Sequence, residues 1–137
     1  MNKYVIDASI ILRSLLNESS DIAEKFKKIL TDVAHNHAKV FSHHLISAEV
    51  ANGLRFTLKD KETAVDTFKK FARIPLTILS PTKAQQEKTL SLSYDLNTTI
   101  YDTSYHVLAK SHGAIFLTCD HDYFKKAKSL KGIELWE

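Results

Sequence analysis

Short apolar runs alternate along the chain with longer stretches whose apolar residues recur every three or four positions. The runs predict five strands, at residues 3–6, 40–41, 76–79, 114–118 and 133–136. The stretches between them predict helices that begin near residues 8, 21, 46, 61, 82, 100 and 121. Strands separated by helices favour a parallel sheet covered on both faces, because parallel neighbours need crossover connections. We therefore predict an α/β fold.

Several helix boundaries carry residues that are typical of helix ends. Ser20 precedes the second helix, and Thr98 or Thr99 can cap the helix that starts at residue 100. Pro75 ends the helix predicted over residues 61–73, and Gly113 can adopt the left-handed conformation that closes the helix before it. These signals support the order of elements.

Length and composition are those of one globular domain. The 137 residues include 44% hydrophobic and 26% charged side chains, so we expect a single domain over residues 1–137. The first apolar run ends at Asp7, too early for a signal peptide, and no apolar stretch approaches the roughly 18 residues of a membrane span. The single cysteine, Cys119, has no partner for an internal disulfide. We therefore expect a cytoplasmic protein with no membrane partner.

Charge and glycine content narrow the classes of function. The formal charge of +3 permits a polyanionic partner without requiring one. The three glycines, Gly53, Gly113 and Gly132, are too scattered for a phosphate-binding loop. Classes of protein that bind nucleotides through such a loop are therefore disfavoured.

Four acidic residues occupy positions that a parallel sheet would bring together. Asp7 and Asp120 follow predicted strands, and Asp102 lies in the first turn of a helix, three residues after Thr99. Glu49 lies at the border of the apolar stripe of its helix. Because the carboxyl ends of parallel strands share one edge, and ligands bind there where the strand order reverses, we expect these acids to form one site.

Each acid also has a purely structural explanation. Asp7 and Asp120 could be N-caps, Asp102 could belong to a capping box with Thr99, and Glu49 could be a solvated helix residue. The set is harder to explain in this way, because two carboxylates about 4 Å apart repel by ~4 kcal/mol at an effective dielectric constant of 20. Oxygen ligands alone suit Mg²⁺ or Mn²⁺, which indicates phosphodiester chemistry.

Other side chains suggest weaker alternatives. Seven histidines, among them His35, His37 and the pair His43 and His44, raise the possibility of zinc, but no third ligand accompanies them at a suitable spacing. Cys119 is more readily a buried apolar filler than a thiol nucleophile. Helical spacing predicts that five aromatic residues pack in the core: Phe26, Phe68, Phe71, Tyr94 and Tyr105.

A phosphoryl-transfer α/β domain with an aspartyl nucleophile would also place an aspartate after its first strand. The segment after Asp7 is Ala-Ser-Ile, with no second aspartate two positions on, and such a domain gives no reason for Glu49. This class is therefore disfavoured.

Four motifs resemble those of PIN-domain ribonucleases, in particular VapC-like toxins of toxin–antitoxin systems. They are VIDAS at residues 5–9, SAEVANGL at 47–54, YDTSYHVLAK at 101–110 and LTCDHDYF at 117–124. The resemblance implies a single PIN-like domain with a five-stranded parallel sheet, acting as a homodimer. It also implies Mg²⁺- or Mn²⁺-dependent endonucleolytic cleavage of RNA that leaves 5′-phosphate and 3′-hydroxyl ends.

The same resemblance assigns roles to individual residues. It implies that the metal-binding and catalytic acids are Asp7, Glu49, Asp102 and Asp120. It implies that the supporting residues are Ser9, Asn52, Thr118 and Asp122, the last being an acid that only some relatives carry. A small antitoxin protein is the implied partner. Two alternatives stay open: a housekeeping RNA-processing nuclease, and a non-catalytic RNA-binding or scaffold module of the same fold.

Overall fold

Five parallel strands form one sheet in this computed structural model, which describes residues 1–137. The strand order is β3-β2-β1-β4-β5. The strands are β1 (Asn2–Ile6), β2 (Ala38–His43), β3 (Thr77–Leu79), β4 (Ile115–Thr118) and β5 (Ile133–Leu135). This architecture confirms the predicted α/β fold with a five-stranded parallel sheet.

Seven helices connect and cover the strands. They are α1 (Ala8–Leu16), α2 (Asp21–Ala34), α3 (Ile46–Thr57), α4 (Lys61–Ala72), α5 (Lys83–Leu96), α6 (Ile100–Ser111) and α7 (His121–Ala127). Ser20 caps α2 and Thr99 caps α6, as the sequence predicts. A short 3₁₀ helix (Lys128–Leu130) leads from α7 into β5. No helix of the chain is long and apolar enough to cross a membrane.

Successive residues of the central strand β1 serve two separate cores. Ile6 packs with Val40 and Leu117 against the side that carries α1 to α4. Val5 packs with Phe41 and Phe116 on the opposite side, beneath α6 and α7. Because side chains alternate along a strand, both faces of the second half of β1 are buried, which explains the consecutive apolar residues Tyr4, Val5 and Ile6.

The strand order reverses next to β1. The chain runs outward from β1 to β2 and β3 and then returns to place β4 on the other side of β1. The carboxyl ends of β1 and β4 therefore border the crevice in which parallel α/β proteins bind ligands.

The structure corrects a few predicted boundaries. β2 covers six residues rather than two, because it pairs with β1 from Ala38 and with β3 as far as His43. Residue 82, predicted as helical, is the N-cap of α5, and that helix continues to Leu96. The prediction that Tyr94 packs in the core is wrong, since it is 83% exposed, while Phe26, Phe71 and Tyr105 are buried. Tyr94 lies on α5, which packs mainly on α6 and not on the sheet.

Candidate active site

Asp7 lies at the carboxyl end of β1 and caps α1. Its Oδ1 accepts hydrogen bonds from the backbone N–H groups of Ser9 at 3.0 Å and Ile10 at 3.4 Å, and from the Ser9 hydroxyl. Its Oδ2 accepts a hydrogen bond from the Thr118 hydroxyl at 2.6 Å. Burial nevertheless raises the pKa of Asp7 to about 6, because desolvation outweighs the hydrogen bonds that favour the charged form.

Two hydroxyl groups join Asp7 to the end of β4. Thr118 Oγ1, which donates to Asp7, accepts a hydrogen bond from the Asp120 N–H at 3.1 Å. Ser9 Oγ accepts one from the Cys119 N–H at 2.9 Å. The structure thus brings Ser9 and Thr118 into contact with the predicted acids, across the point where the strand order reverses.

Asp120 caps α7 with one carboxylate oxygen. Its Oδ1 accepts a hydrogen bond from the Tyr123 N–H at 3.0 Å, and its Oδ2 has no hydrogen-bond partner in the protein. The side chain is half-buried at the sheet edge. Capping therefore leaves one oxygen of Asp120 available to a ligand.

Glu49 and Asp102 line a cleft of about 440 Å³ beside this edge, together with Asn52. Glu49 accepts a hydrogen bond from the Tyr105 hydroxyl at 2.7 Å. The Asp102 N–H donates to Thr99 Oγ1 at 3.2 Å, but the Asp102 carboxylate makes no return bond to the Thr99 backbone, so the capping box is only half formed. Both carboxylates are half-buried and face solvent through the cleft.

Electrostatic interactions link three of the four acids, because the charge of Asp102 acts on Glu49 and the charge of Asp120 acts on Asp102. Burial raises the pKa of Glu49, and the charge of Asp102 raises it further; burial and the charge of Asp120 raise the pKa of Asp102. Burial and then hydrogen bonding to Glu49 raise the pKa of Tyr105, which also responds to Asp7 and Asp102. Tyr105 therefore stays protonated and can donate to Glu49.

No cationic side chain neutralises this cluster. The ion pairs of the chain are Lys70 with Glu18 at 3.4 Å and His121 with Glu137 at 3.1 Å, and neither includes a predicted site acid. Uncompensated negative charge is costly at partly buried positions. The cluster is thus suited to a positively charged ligand.

The donor chemistry fits a hard divalent cation, although no three His, Cys, Asp or Glu side chains are gathered into a ready metal cage. Mg²⁺ commonly binds through one or two carboxylates and completes its shell with water and phosphate oxygens. Glu49 and Asp102, whose pKa values are raised by burial and by a neighbouring carboxylate and which have no cationic partner, match that need. The same finding gives no support to zinc at His35, His37, His43 or His44.

The structure gives no support for a chemical role of two further candidate residues, Asp122 and Cys119. Asp122 is exposed in the first turn of α7, and no hydrogen bond ties it to the four acids, so its supporting role stays a prediction. Cys119 is buried, and burial raises the pKa of its thiol, which disfavours the thiolate that a nucleophile requires.

Sequence reasoning missed the part played by Tyr105. We expected core packing there, and its ring is indeed buried, but its hydroxyl reaches Glu49 on another helix. The available signal was its position three residues after Asp102, which places both side chains on one side of α6. The contact to α3 required the tertiary structure.

Fold and site together define an α/β domain with an acidic cleft at its topological switch point. The chain belongs to the PIN-domain family, whose model matches residues 4–130. Comparison with curated protein sequences gives no match.

Solved structures with the same fold include complexes of toxins with antitoxins. The chain resembles PAE2754 from Pyrobaculum aerophilum with a TM-score of 0.69 and 23% identity, over 96% of this chain and 83% of that one. It resembles VapBC2 from Rickettsia felis bound to a promoter DNA fragment with a TM-score of 0.71 and 15% identity, over 98% of this chain and 99% of that one. It resembles DNA-bound VapBC from Salmonella typhimurium with a TM-score of 0.69 and 17% identity, over 99% of this chain and 98% of that one. At these identities the likeness shows the fold.

Proposed function

We propose that this PIN-domain protein is an Mg²⁺- or Mn²⁺-dependent endoribonuclease and the toxin of a type II toxin–antitoxin pair. The observation that supports the proposal is that the four candidate acids have no cationic partner while lying near one another in two pairs. The Asp7 carboxylate and the Asp120 backbone both bind the Thr118 hydroxyl, and Glu49 and Asp102 line the neighbouring cleft. A bound divalent cation supplies charge stabilisation at the scissile phosphate and a more acidic water.

The residues of the chain prepare that site. Ser9 and Thr118 fix the Asp7 carboxylate by hydrogen bonds, so its oxygens keep one orientation when a ligand binds. The buried Tyr105 on α6 fixes Glu49 in the same way through its hydroxyl. Asn52 lies beside Glu49 on the open side, where its amide can contact a substrate phosphate or sugar. These contacts support preorganised oxygen donors at the reacting phosphate.

The direct test is cleavage of a structured RNA with looped and single-stranded regions by the purified protein. We expect cleavage with Mg²⁺ or Mn²⁺, poor activity with Ca²⁺ or Zn²⁺, and 5′-phosphate ends on the products. Undiminished cleavage in excess chelator would contradict the metal mechanism and favour acid–base catalysis by histidine. RNA binding without cleavage under every metal condition would favour the non-catalytic module.

The toxin role is tested separately from the chemistry. Induced expression in a bacterial host should arrest growth, and expression of the Asp7→Asn variant to the same level should not. Normal growth despite cleavage of RNA by the purified protein would favour a housekeeping RNA-processing nuclease.

We further propose a homodimer and a small antitoxin partner that inserts an arginine side chain into the acidic cleft. A guanidinium group matches carboxylates with paired hydrogen bonds, and the four acids have no such partner within the chain. Light scattering tests the dimer. Replacement of the inserted arginine of a copurified partner should weaken inhibition, and a complex that leaves all four carboxylates open to metal would count against this arrangement.

A further inference from the structure

A second cavity adjoins the acidic cleft. It has a volume of about 340 Å³ and lies between the end of β2, α5 and the start of α6. Leu45 and Tyr101 line both the cavity and the cleft that contains Glu49 and Asp102. A ligand whose phosphate occupied the cleft would therefore have its neighbouring groups at the mouth of this cavity.

Two buried polar groups in the cavity wall lack protein partners. His43 is 2% exposed, and its Nδ1 accepts a hydrogen bond from the Leu45 N–H at 3.1 Å. A neutral imidazole that accepts at Nδ1 carries its proton on Nε2, and that Nε2 has no hydrogen bond within the protein. Ser104 is 8% exposed, and its hydroxyl likewise has no partner. Both atoms keep some contact with solvent. The chain has a single completely inaccessible polar side-chain atom without a hydrogen-bond partner, and that atom is Ser14 Oγ.

Most of the remaining wall surface is apolar. Pro81, Leu90 and Ile100 contribute apolar surface, and Tyr101 contributes an exposed aromatic ring. No Lys, Arg, Asp or Glu lines the cavity, so a phosphate group would find no permanent countercharge there. A ligand that fits has flat apolar faces and a polar edge with at least one acceptor for His43.

We propose that this cavity binds a nucleobase of the RNA strand beside the scissile phosphate, with His43 and Ser104 contacting the base edge. The proposal rests on the proposed ribonuclease function and assigns it a base-reading subsite. Bases of single-stranded RNA are recognised in this way, by stacking on aromatic side chains and hydrogen bonds to their edges.

The charge state of His43 agrees with this role. Burial, and then the neighbouring His44, lower the pKa of His43 to about 4, so the ring is neutral near pH 7. The two imidazole rings lie 4.4 Å apart between centroids. A neutral donor held in place by the Leu45 backbone suits an uncharged base edge better than a phosphate.

The first experiment compares cleavage positions in a random-sequence RNA pool. We expect the wild type to prefer particular bases at one position beside the cut. Ser104→Ala and Tyr101→Ala should each weaken that preference on the order of tenfold, because a base contact or stacking surface is lost. Ser104→Leu should fill the cavity and abolish the preference. The matched controls are Ser111→Ala, on the same helix but bonded to Val107, and Tyr94→Ala, an exposed aromatic outside the cavity, and both should keep the wild-type preference.

The second experiment measures binding without metal or cleavage. The backbone amide signals of Leu45 and Ser104 should shift when free nucleosides are added to the chelator-treated protein, but not with inorganic phosphate. Ser104→Leu should remove these shifts, and circular dichroism of that variant checks that it folds.

The outcomes separate the two proposals. Cleavage with identical base preference in all variants, and no nucleoside-induced shifts, would overturn the pocket and leave the nuclease intact. Nucleoside shifts in a protein that never cleaves RNA would overturn the nuclease and leave a nucleobase site. A change in oligomeric state in the Tyr101→Ala or Ser104→Leu variants, with unchanged base preference, would overturn the pocket by showing that the cavity is a contact between copies of the chain.

Discussion

A capping aspartate and a metal-binding aspartate are compatible roles for one side chain. Asp120 caps α7 with Oδ1 alone, which leaves Oδ2 without a hydrogen-bond partner at the edge of the sheet. Asp7 caps α1 with Oδ1 and holds Thr118 with Oδ2. The caps fix each carboxylate at a helix N-terminus, where the helix dipole also favours its negative charge. The capping role of these residues is therefore compatible with the proposed metal-binding role.

Asp7→Asn should stabilise the metal-free protein and abolish RNA cleavage. The folded-state pKa of about 6 lies above the ordinary value of 3.8, so the ionised carboxylate opposes folding. This cost is absent below about pH 4 and complete above about pH 6, where it reaches roughly 3 kcal/mol. Urea unfolding in chelator from pH 4 to 8 measures this effect. The free energy of unfolding of the variant, relative to that of the wild type, should increase as the pH rises.

Melting with Mg²⁺ and RNA cleavage separate metal binding by Asp7 from helix capping alone. Mg²⁺ should raise the melting temperature of the wild type more than that of the variant, because a ligand stabilises the state that binds it. A variant that melts lower without metal at pH 8 and cleaves RNA at the wild-type rate would show that Asp7 is only a cap.

Ser14→Ala should stabilise the protein by about 1 kcal/mol, because its buried hydroxyl has no hydrogen-bond partner. Replacement of serine by alanine inside any helix also adds a small gain from helix propensity. Ser91→Ala on α5 measures that gain alone, since Ser91 is exposed. Urea unfolding should give a larger increase at Ser14 than at Ser91, and equal increases would refute the cost of the buried hydroxyl.

The short helix α7 is held against α6 by a buried polar pair. The Tyr123 hydroxyl donates to His106 Nδ1 at 2.9 Å, and His106 Nε2 donates to the Lys131 carbonyl at 2.7 Å. Because the Tyr123 backbone also binds Asp120, this pair anchors the element that presents Asp120 to the cleft.

Tyr123→Phe should destabilise the protein by about 1–3 kcal/mol, because His106 Nδ1 then lies buried without a donor. Hydrogen exchange of the α7 amides should accelerate more than that of β1. Tyr94→Phe is the control, since the Tyr94 side chain is exposed. Unchanged stability in Tyr123→Phe would mean that the pair adds nothing to the anchoring of α7.

The predictable elements are those whose apolar spacing is clear. β1 and α1 follow directly from the apolar run before Asp7 and the helical repeat after it, and the structure confirms both. The positions of Asp7 and Asp120 at strand ends were likewise predictable, because topology alone places them. The contact between Glu49 and the buried Tyr105 was not predictable, since it spans 56 positions and depends on how α3 packs against α6.

The sequence also did not predict which apolar residues of α5 are exposed. Its apolar residues include Leu90 and Tyr94, which are exposed because the helix packs on α6 rather than on the sheet. Local spacing reports which residues share a helix face, but it does not report whether another layer covers that face.

The charges of the whole molecule are segregated. The chain has 19 Lys and Arg against 16 Asp and Glu, and four of those acids belong to the proposed site, so the remaining surface is more basic than the total suggests. Lys125 and Lys128 are exposed on and just after α7, the helix that Asp120 caps. Such a basic surface favours RNA backbone binding around the acidic centre.

RNA binding by the Asp7→Asn variant should weaken with salt. Replacing both Lys125 and Lys128 with alanine should reduce the slope of log affinity against log salt by about 0.7 per lost phosphate contact. Replacing the exposed Lys27 and Lys28 on α2 is the matched control and should leave the slope unchanged. Fluorescence anisotropy with a labelled single-stranded RNA measures both, and equal slopes for all three proteins would place the RNA elsewhere.

The strand order also sets when the cleft comes into existence during synthesis. Thr118 and Asp7 lie 111 positions apart, and β4 leaves the ribosome only after β1, β2, β3 and the helices between them. A nascent chain can begin to pair β1 with β2 long before it contains Asp120. A nascent chain of the proposed enzyme therefore lacks a complete acidic site until the last part of its own translation.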